Sequence, residues 1–170
     1  MAGSQFQAYN SALSTTTNVD GGTSYAAGAK VALQLGIPAN GQIALVEWGV
    51  SLAAVQTTAA VLEVASTATA STVTTAHTTT TVFPAIDNYT LSNSRLTMGT
   101  GATGFGNGAI TSNTTLRPVD RQQVFSAYAK IWPLEDYPRF GGSSAQYLQF
   151  RINTAATVNA IIYARWIELI

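Results

Sequence analysis

The stretch Gln42 to Ala54, QIALVEWGVSLAA, sets Val46, Trp48, Val50 and Leu52 against Glu47, Gly49 and Ser51. Successive side chains on a strand take opposite faces, so this spacing predicts a strand with one apolar face. At ~3.3 Å per residue, eleven such residues reach roughly 36 Å, enough to cross a sandwich layer. The next run, Ala59 to Ala65 (AAVLEVA), repeats the pattern after the short link Val55 to Thr58. The two are expected to form an antiparallel hairpin, with Trp48 packed over Leu62 or Val64.

Working outward, Lys30 to Leu35 places Val31, Leu33 and Leu35 on one face and ends at the turn GIPANG, Gly36 to Gly41. Gln122 to Ile131, QQVFSAYAKI, reads as a strand with bulk on both faces, followed by the turn WPLEDYPRFGG from Trp132 to Gly142. Tyr147 to Ile152 alternates Leu148, Phe150 and Ile152 against Tyr147, Gln149 and Arg151. Thr157 to Leu169 alternates Val158, Ala160, Ile162, Ala164 and Trp166 against Asn159, Ile161, Tyr163, Arg165 and Ile167. No segment has the 3.6-residue period of a helix. The pattern predicts an all-β fold, an antiparallel two-sheet sandwich of jelly-roll-like type, with Trp48, Leu62 and Trp166 in the core.

Three regions are less regular. Residues 1 to 27 are polar and are expected to form an extended N-terminal arm, with Phe6, Tyr9 and Tyr25 as its anchors. Residues 66 to 81, STATASTVTTAHTTTT, are β-branched enough to predict one or two strands with a hydroxyl-lined face. Residues 84 to 118 hold the loop PAIDNYTLSN, a short alternating piece from Arg95 to Met98 and the glycine cluster GTGATGFGNG, and predict an irregular excursion. Residues 28 to 170 are expected to be a single sandwich domain.

With 170 residues the chain is long enough for a real core. Charged residues make up 9% of it, far below the roughly 25% of an average soluble protein. A surface so poor in charge implies cover by other subunits. Eight basic residues balance eight acidic ones and are scattered singly, so no field draws the chain to nucleic acid or to anionic lipid. Cysteine is absent, which leaves no disulfide and no thiolate metal site. The N-terminus has no signal-peptide pattern and no window is apolar enough to span a membrane, so a cytosolic product, or one assembled into a particle there, is expected.

Residues with catalytic potential stand apart. His77 has no second ligand or base at motif spacing and is expected to be a hydrogen-bonded surface residue. Glu47 and Glu63 could face each other as a glycosidase pair does. The plainer expectation is that each bonds Arg151, Arg165 or a neighbouring subunit. Gly99 to Gly104, GTGATG, matches GxGxxG, but no helix follows, so a glycine-rich turn is expected. Asp20 and Asp87 lack the alternating oxygen ligands of a calcium loop and are expected in turns. Tyr89, Phe105, Trp132, Tyr137 and Phe140 could stack on sugars or anchor a protein interface, and the low charge favours the interface.

The hairpin segments VEWGVSL and VLEVAST, then VTTAH, then SRLTMGTGATGFG, and the closing RINTAATVNAIIYARWIEL resemble a family of small β-sandwich virion proteins of tailed bacteriophages. The resemblance runs from about Lys30 to the C-terminus. It implies a non-enzymatic capsid decoration (cement) protein on the capsid surface. Such a protein is assembled in the host cytoplasm, binds the major capsid protein as a homo-oligomer, often a trimer, and needs no cofactor or metal. Phe6, Tyr9, Tyr25, Tyr89, Phe105, Trp132, Tyr137 and Phe140 are the candidate subunit or shell contacts. The alternative is a carbohydrate- or receptor-binding module on a virion or tail surface.

Overall fold

Alternation of apolar and polar side chains is satisfied when each strand lays one face on a second layer, and the chain uses that solution throughout. The computed structural model describes residues 3–11, 22–85, 93–111 and 116–169. The strands are β1 (Gly3–Tyr9), β2 (Thr23–Tyr25), β3 (Gly28–Ile37), β4 (Gln42–Leu52), β5 (Ala60–Thr67), β6 (Thr75–Ala76) and β7 (Phe83–Pro84). They continue with β8 (Gly104–Ala109), β9 (Arg117–Val124), β10 (Ala127–Ile131), β11 (Arg139–Gly141), β12 (Gln146–Thr154) and β13 (Val158–Leu169).

Two antiparallel sheets face each other. The seven-stranded sheet runs β10-β4-β13-β1-β7, with β11 also on β4 and β2 on β13. The six-stranded sheet runs β6-β8-β3-β12-β5-β9. Trp48, Phe150 and Trp166 lie between the layers with Leu33, Leu62 and Ile162, all nearly solvent-free. Trp48 meets Tyr128 of its own sheet and Phe150 of the facing sheet, with ring centroids 5.3 and 6.0 Å away. The expected core residues and the two-sheet sandwich are therefore as the alternation implied.

The expected hairpin is not formed. β4 belongs to the seven-stranded sheet and β5 to the six-stranded one, so residues 53–59 arch between layers. β3 to β4, β9 to β10 and β12 to β13 cross in the same way. A tight hairpin needs residues that accept φ > 0, usually Asn-Gly or Asp-Gly. The link AAVQTTA supplies none, so the two strands part at the corner. Nested pairs β3–β12, β4–β10 and β5–β9 alternate between the sheets, while β13 and β1 lie outside that nest.

Other expectations are corrected by the same topology. QQVFSAYAKI is two strands, broken at Phe125 and Ser126 where the chain changes sheet. Of the one or two strands expected in the Thr/Ala run, one forms, the two-residue β6, while Ser71 and Val73 are drawn under cover by side-chain and core contacts instead of by a ladder. The glycine cluster is not an excursion: Gly104 to Ala109 pairs with β3 as β8. The described part of the expected arm is no arm either, since β1 pairs along its whole length with β13, Gly3 to Tyr9 against Leu169 to Tyr163. Its alternation of Phe6 and Ala8 against Gln5 and Gln7 is the signal that polar composition obscured. Residues 12–21 of that region, with Asp20, lie outside the described residues, as do Asp87 and Tyr89.

Strand β4 carries a bulge. Arg165 pairs with Glu47 and Trp166 with Leu45, which leaves Val46 as the extra residue. The inward row is therefore Ile43 and Leu45 before the bulge and Trp48, Val50 and Leu52 after it. At the same point the neighbour changes from β10 to β11, and the Trp132 N–H donates to the Val46 carbonyl at 3.1 Å.

Candidate functional site

The two outer faces of the sandwich are built differently, and the difference locates the site. On the six-stranded sheet, outward Gln34 and Gln149 are fully buried beneath residues 69–71. The Gln34 Nε2 donates to the Ser71 and Ala102 carbonyls at 3.1 and 2.7 Å, and its Oε1 accepts from the Ser71 N–H at 2.9 Å. Gln149 Nε2 donates to Gln34 Oε1 and Ser71 Oγ, and its Oε1 accepts two bonds from the Arg151 guanidinium. Arg151 then pairs with Glu63 at 3.3 Å. This polar chain fastens the chain's own segment over its own sheet.

The seven-stranded sheet has no such roof among the described residues. Its register aligns Ala129, Gly49, Tyr163 and Tyr9 in one row, and Ile131, Glu47, Arg165 and Gln7 in the next. Ile161 and Ile167 stand on the same outward side of β13. The Tyr163 ring lies flat across Gly49, where an added Cβ would come within 2.5 Å of Cε1. Its hydroxyl donates to Glu47 at 2.5 Å, and the other Glu47 oxygen pairs with Arg165 at 3.1 Å. Burial, then the bond to Glu47 and its charge, push the Tyr163 phenol up to about 12. Among the outward side chains of β1, β4, β10 and β13, Glu47 and Arg165 are the ionic ones, and they neutralise each other. Ser51, Ala127, Ala129, Ile161 and Tyr163 line a shallow depression there. Ile131 and Leu134, 66% and 71% exposed, extend the apolar surface along the β10 side.

The sequence-predicted contact residues divide. Phe6, Tyr25 and Phe105 are buried: Phe6 stacks on Trp166, Tyr25 accepts a bond from Asn10, and Phe105 packs on His77. They cannot touch a partner, because each is the inward member of its strand. Tyr9 does belong to the open face, its ring 6.1 Å from Tyr163. Trp132 and Tyr137, on the segment between β10 and β11, and Phe140, on β11, are half-buried, with Trp132 and Phe140 packed against the core. Lys130 Nζ sits 5.9 Å from the Trp132 ring centroid. Sequence reasoning passed over Gly49, Ile161, Tyr163 and Ile167. The signal was present, since the non-core positions of the last strand carry Ile and Tyr where a solvated face would carry polar groups.

No protein-family model matches the chain, and comparison with curated proteins and with solved structures finds no match. The face must be judged by its chemistry.

Groups of catalytic type are not gathered in one place among the described residues. Glu47 and Glu63 lie on different sheets, and each is paired with arginine, as expected. His77 is buried rather than superficial, 1% exposed, because β6 tucks it against Phe105. Its Nδ1 lies 3.0 Å from the Thr81 hydroxyl, and Nε2 has no partner among the described residues. Burial pulls its pKa down to about 4, with a weaker opposing influence from the Tyr9 main chain. Gly99 to Gly101 form the expected turn, closed by the Ala102 N–H on the Gly99 carbonyl, and a strand follows instead of a helix. No group of three metal-ligating side chains is found among the described residues.

Proposed function

We propose that this chain is a non-enzymatic structural subunit of a virus particle, a capsid decoration protein that binds the major capsid protein of a phage shell as a homo-oligomer, a trimer by preference. The observation that carries the reading is the outer face of the seven-stranded sheet, flat, apolar and internally neutralised around Glu47 and Arg165. A lone soluble sandwich normally clothes such a face in charge, and contiguous apolar area marks an interaction site. The low charge of the whole chain supports the same view, as does the resemblance of its VEWG and SRLTMGTGATGFG segments to virion proteins. Closure around a symmetry axis would cover the face on every copy at once.

The test is the mass of the purified chain by sedimentation, followed by co-sedimentation with empty phage shells. A trimer that pellets with shells is the expected result. A monomer at tens of micromolar that ignores shells would overturn the proposal.

A further inference from the structure

At the open side of the sandwich, β9 of one sheet looks across at β11 of the other, and the gap between them is a cleft of about 340 Å³. Ser66, Arg117, Val119, Arg139, Phe140 and Gln146 line it. Strand parity explains what points inward. Ser66 pairs with Leu148 on one side and with Arg117 on the other, so Arg117 shares the layer-facing row that elsewhere carries Leu148, Val64 and Leu62. Val119 is the extra residue of a bulge, since Val64 pairs with Asp120 and Ala65 with Pro118. Bulges re-aim the side chains beside them and recur next to binding sites.

Arg117 is exposed, at the mouth of this cleft, so its guanidinium is open to a ligand, and its own chain supplies no counter-charge to it in the described residues. The nearest acid on β9, Asp120, is fully engaged by Trp48 Nε1, the Tyr128 hydroxyl and Gln122 Nε2. The ion pairs formed are Arg151 with Glu63 and Arg165 with Glu47, and Arg117 takes part in neither. Gln146 Oε1 accepts the Gly141 N–H at 3.1 Å, which holds the amide with its nitrogen available as a donor. Phe140, half-buried against the core, forms an apolar wall on the other side.

We propose that this cleft binds an acidic saccharide, with its carboxylate on Arg117, its hydroxyls on Gln146 and Ser66, and the C–H face of the ring against Phe140. The guanidinium fork matches a carboxylate with two parallel bonds. The volume is at the small end of ligand pockets, room for one or two sugar rings and too short for an extended peptide. This gives the chain a ligand independent of its place in a particle.

Titration calorimetry of the full chain with tri-galacturonate, its methyl ester and hexaglutamate tests it. The acid should bind about tenfold or more tighter than the ester. Arg117→Ala, at an exposed position that leaves the fold intact, should reduce the acid to the level of the ester, and Arg117→Lys should fall between. Equal binding of acid and ester would overturn the proposal. So would hexaglutamate binding as tightly as the saccharide, no effect of Arg117→Ala, or no saturable binding by any of the three.

Discussion

The two outer faces of this sandwich come from the same kind of strand, yet one is roofed by its own chain and the other is open. On the six-stranded sheet the outward side chains include Gln34, Gln149, Arg151 and Glu63, long and polar, and through Gln34 and Gln149 they hold Ser71 by hydrogen bonds. On the seven-stranded sheet the outward rows join Ala129, Gly49, Ile161 and Tyr163 to Gln7 and the mutually paired Glu47 and Arg165, so they offer more area than free donors. A polar face is satisfied only by groups in fixed places, so it selects one partner, a segment already tethered nearby. An apolar face accepts any complementary surface, which suits association between separate molecules.

That contrast can be broken at the roofed face first. Gln149→Leu removes the acceptor of two Arg151 bonds and the donor to Gln34 and Ser71. With Arg151 only 7% exposed, the loss should be about 3 to 4 kcal/mol in urea unfolding. A loss under about 1 kcal/mol would mean that water replaces the network and the roof is incidental.

The next effect is a pH dependence beside β6, where His77 is buried against Phe105. Its folded pKa of about 4 lies below the ordinary 6.5, so the unfolded chain binds the proton more tightly. Stability is therefore complete above about pH 6.5, declines as pH falls toward 4, and is flat in this respect below 4. The integrated loss is about 3 kcal/mol. Histidine replacement by glutamine should remove that slope from the stability profile, and a wild-type profile unchanged between pH 7 and 4 would show that the imidazole is hydrated.

On the open face, Gly49→Ala puts a methyl group into the Tyr163 ring, which must lift from the sheet. A cost of about 1 to 3 kcal/mol is expected, with loss of the Tyr163–Glu47 bond visible as a fall in the phenol pKa from about 12. The smallest effect on folding, within about 0.5 kcal/mol, belongs to Ile161→Lys. The same change should abolish the oligomer in sedimentation. An unaltered mass would place the contact elsewhere and sharpen the choice between this face and the exposed Ile131–Leu134 side.

Much of this was legible in the chain. The alternation in Tyr147 to Ile152 and Thr157 to Leu169 names the buried row of both central strands, and every residue of it is inside. The ion pairing of Glu47 and Glu63 followed from their place on the outward side. Alternation says which side chains share a face, because that is a property of one extended backbone. It does not say which strand lies alongside, so the hairpin of Gln42 to Ala65 and the unbroken strand of QQVFSAYAKI were misplaced. Polar composition misplaced the N-terminal segment for a related reason: Phe6 and Ala8 are too few to outweigh their neighbours until β13 lies beside them.

By itself the sequence determined an all-β chain, its inward and outward rows, and a surface with little charge, since these depend on residue type and a period of two. Tertiary structure alone decided that β4 and β5 belong to different layers, that a bulge at Val46 re-phases the inward row, and that Arg117 faces the gap between sheets. Such facts depend on contacts between residues far apart in the chain. The energy that selects them is long-range packing and pairing, which no local pattern encodes.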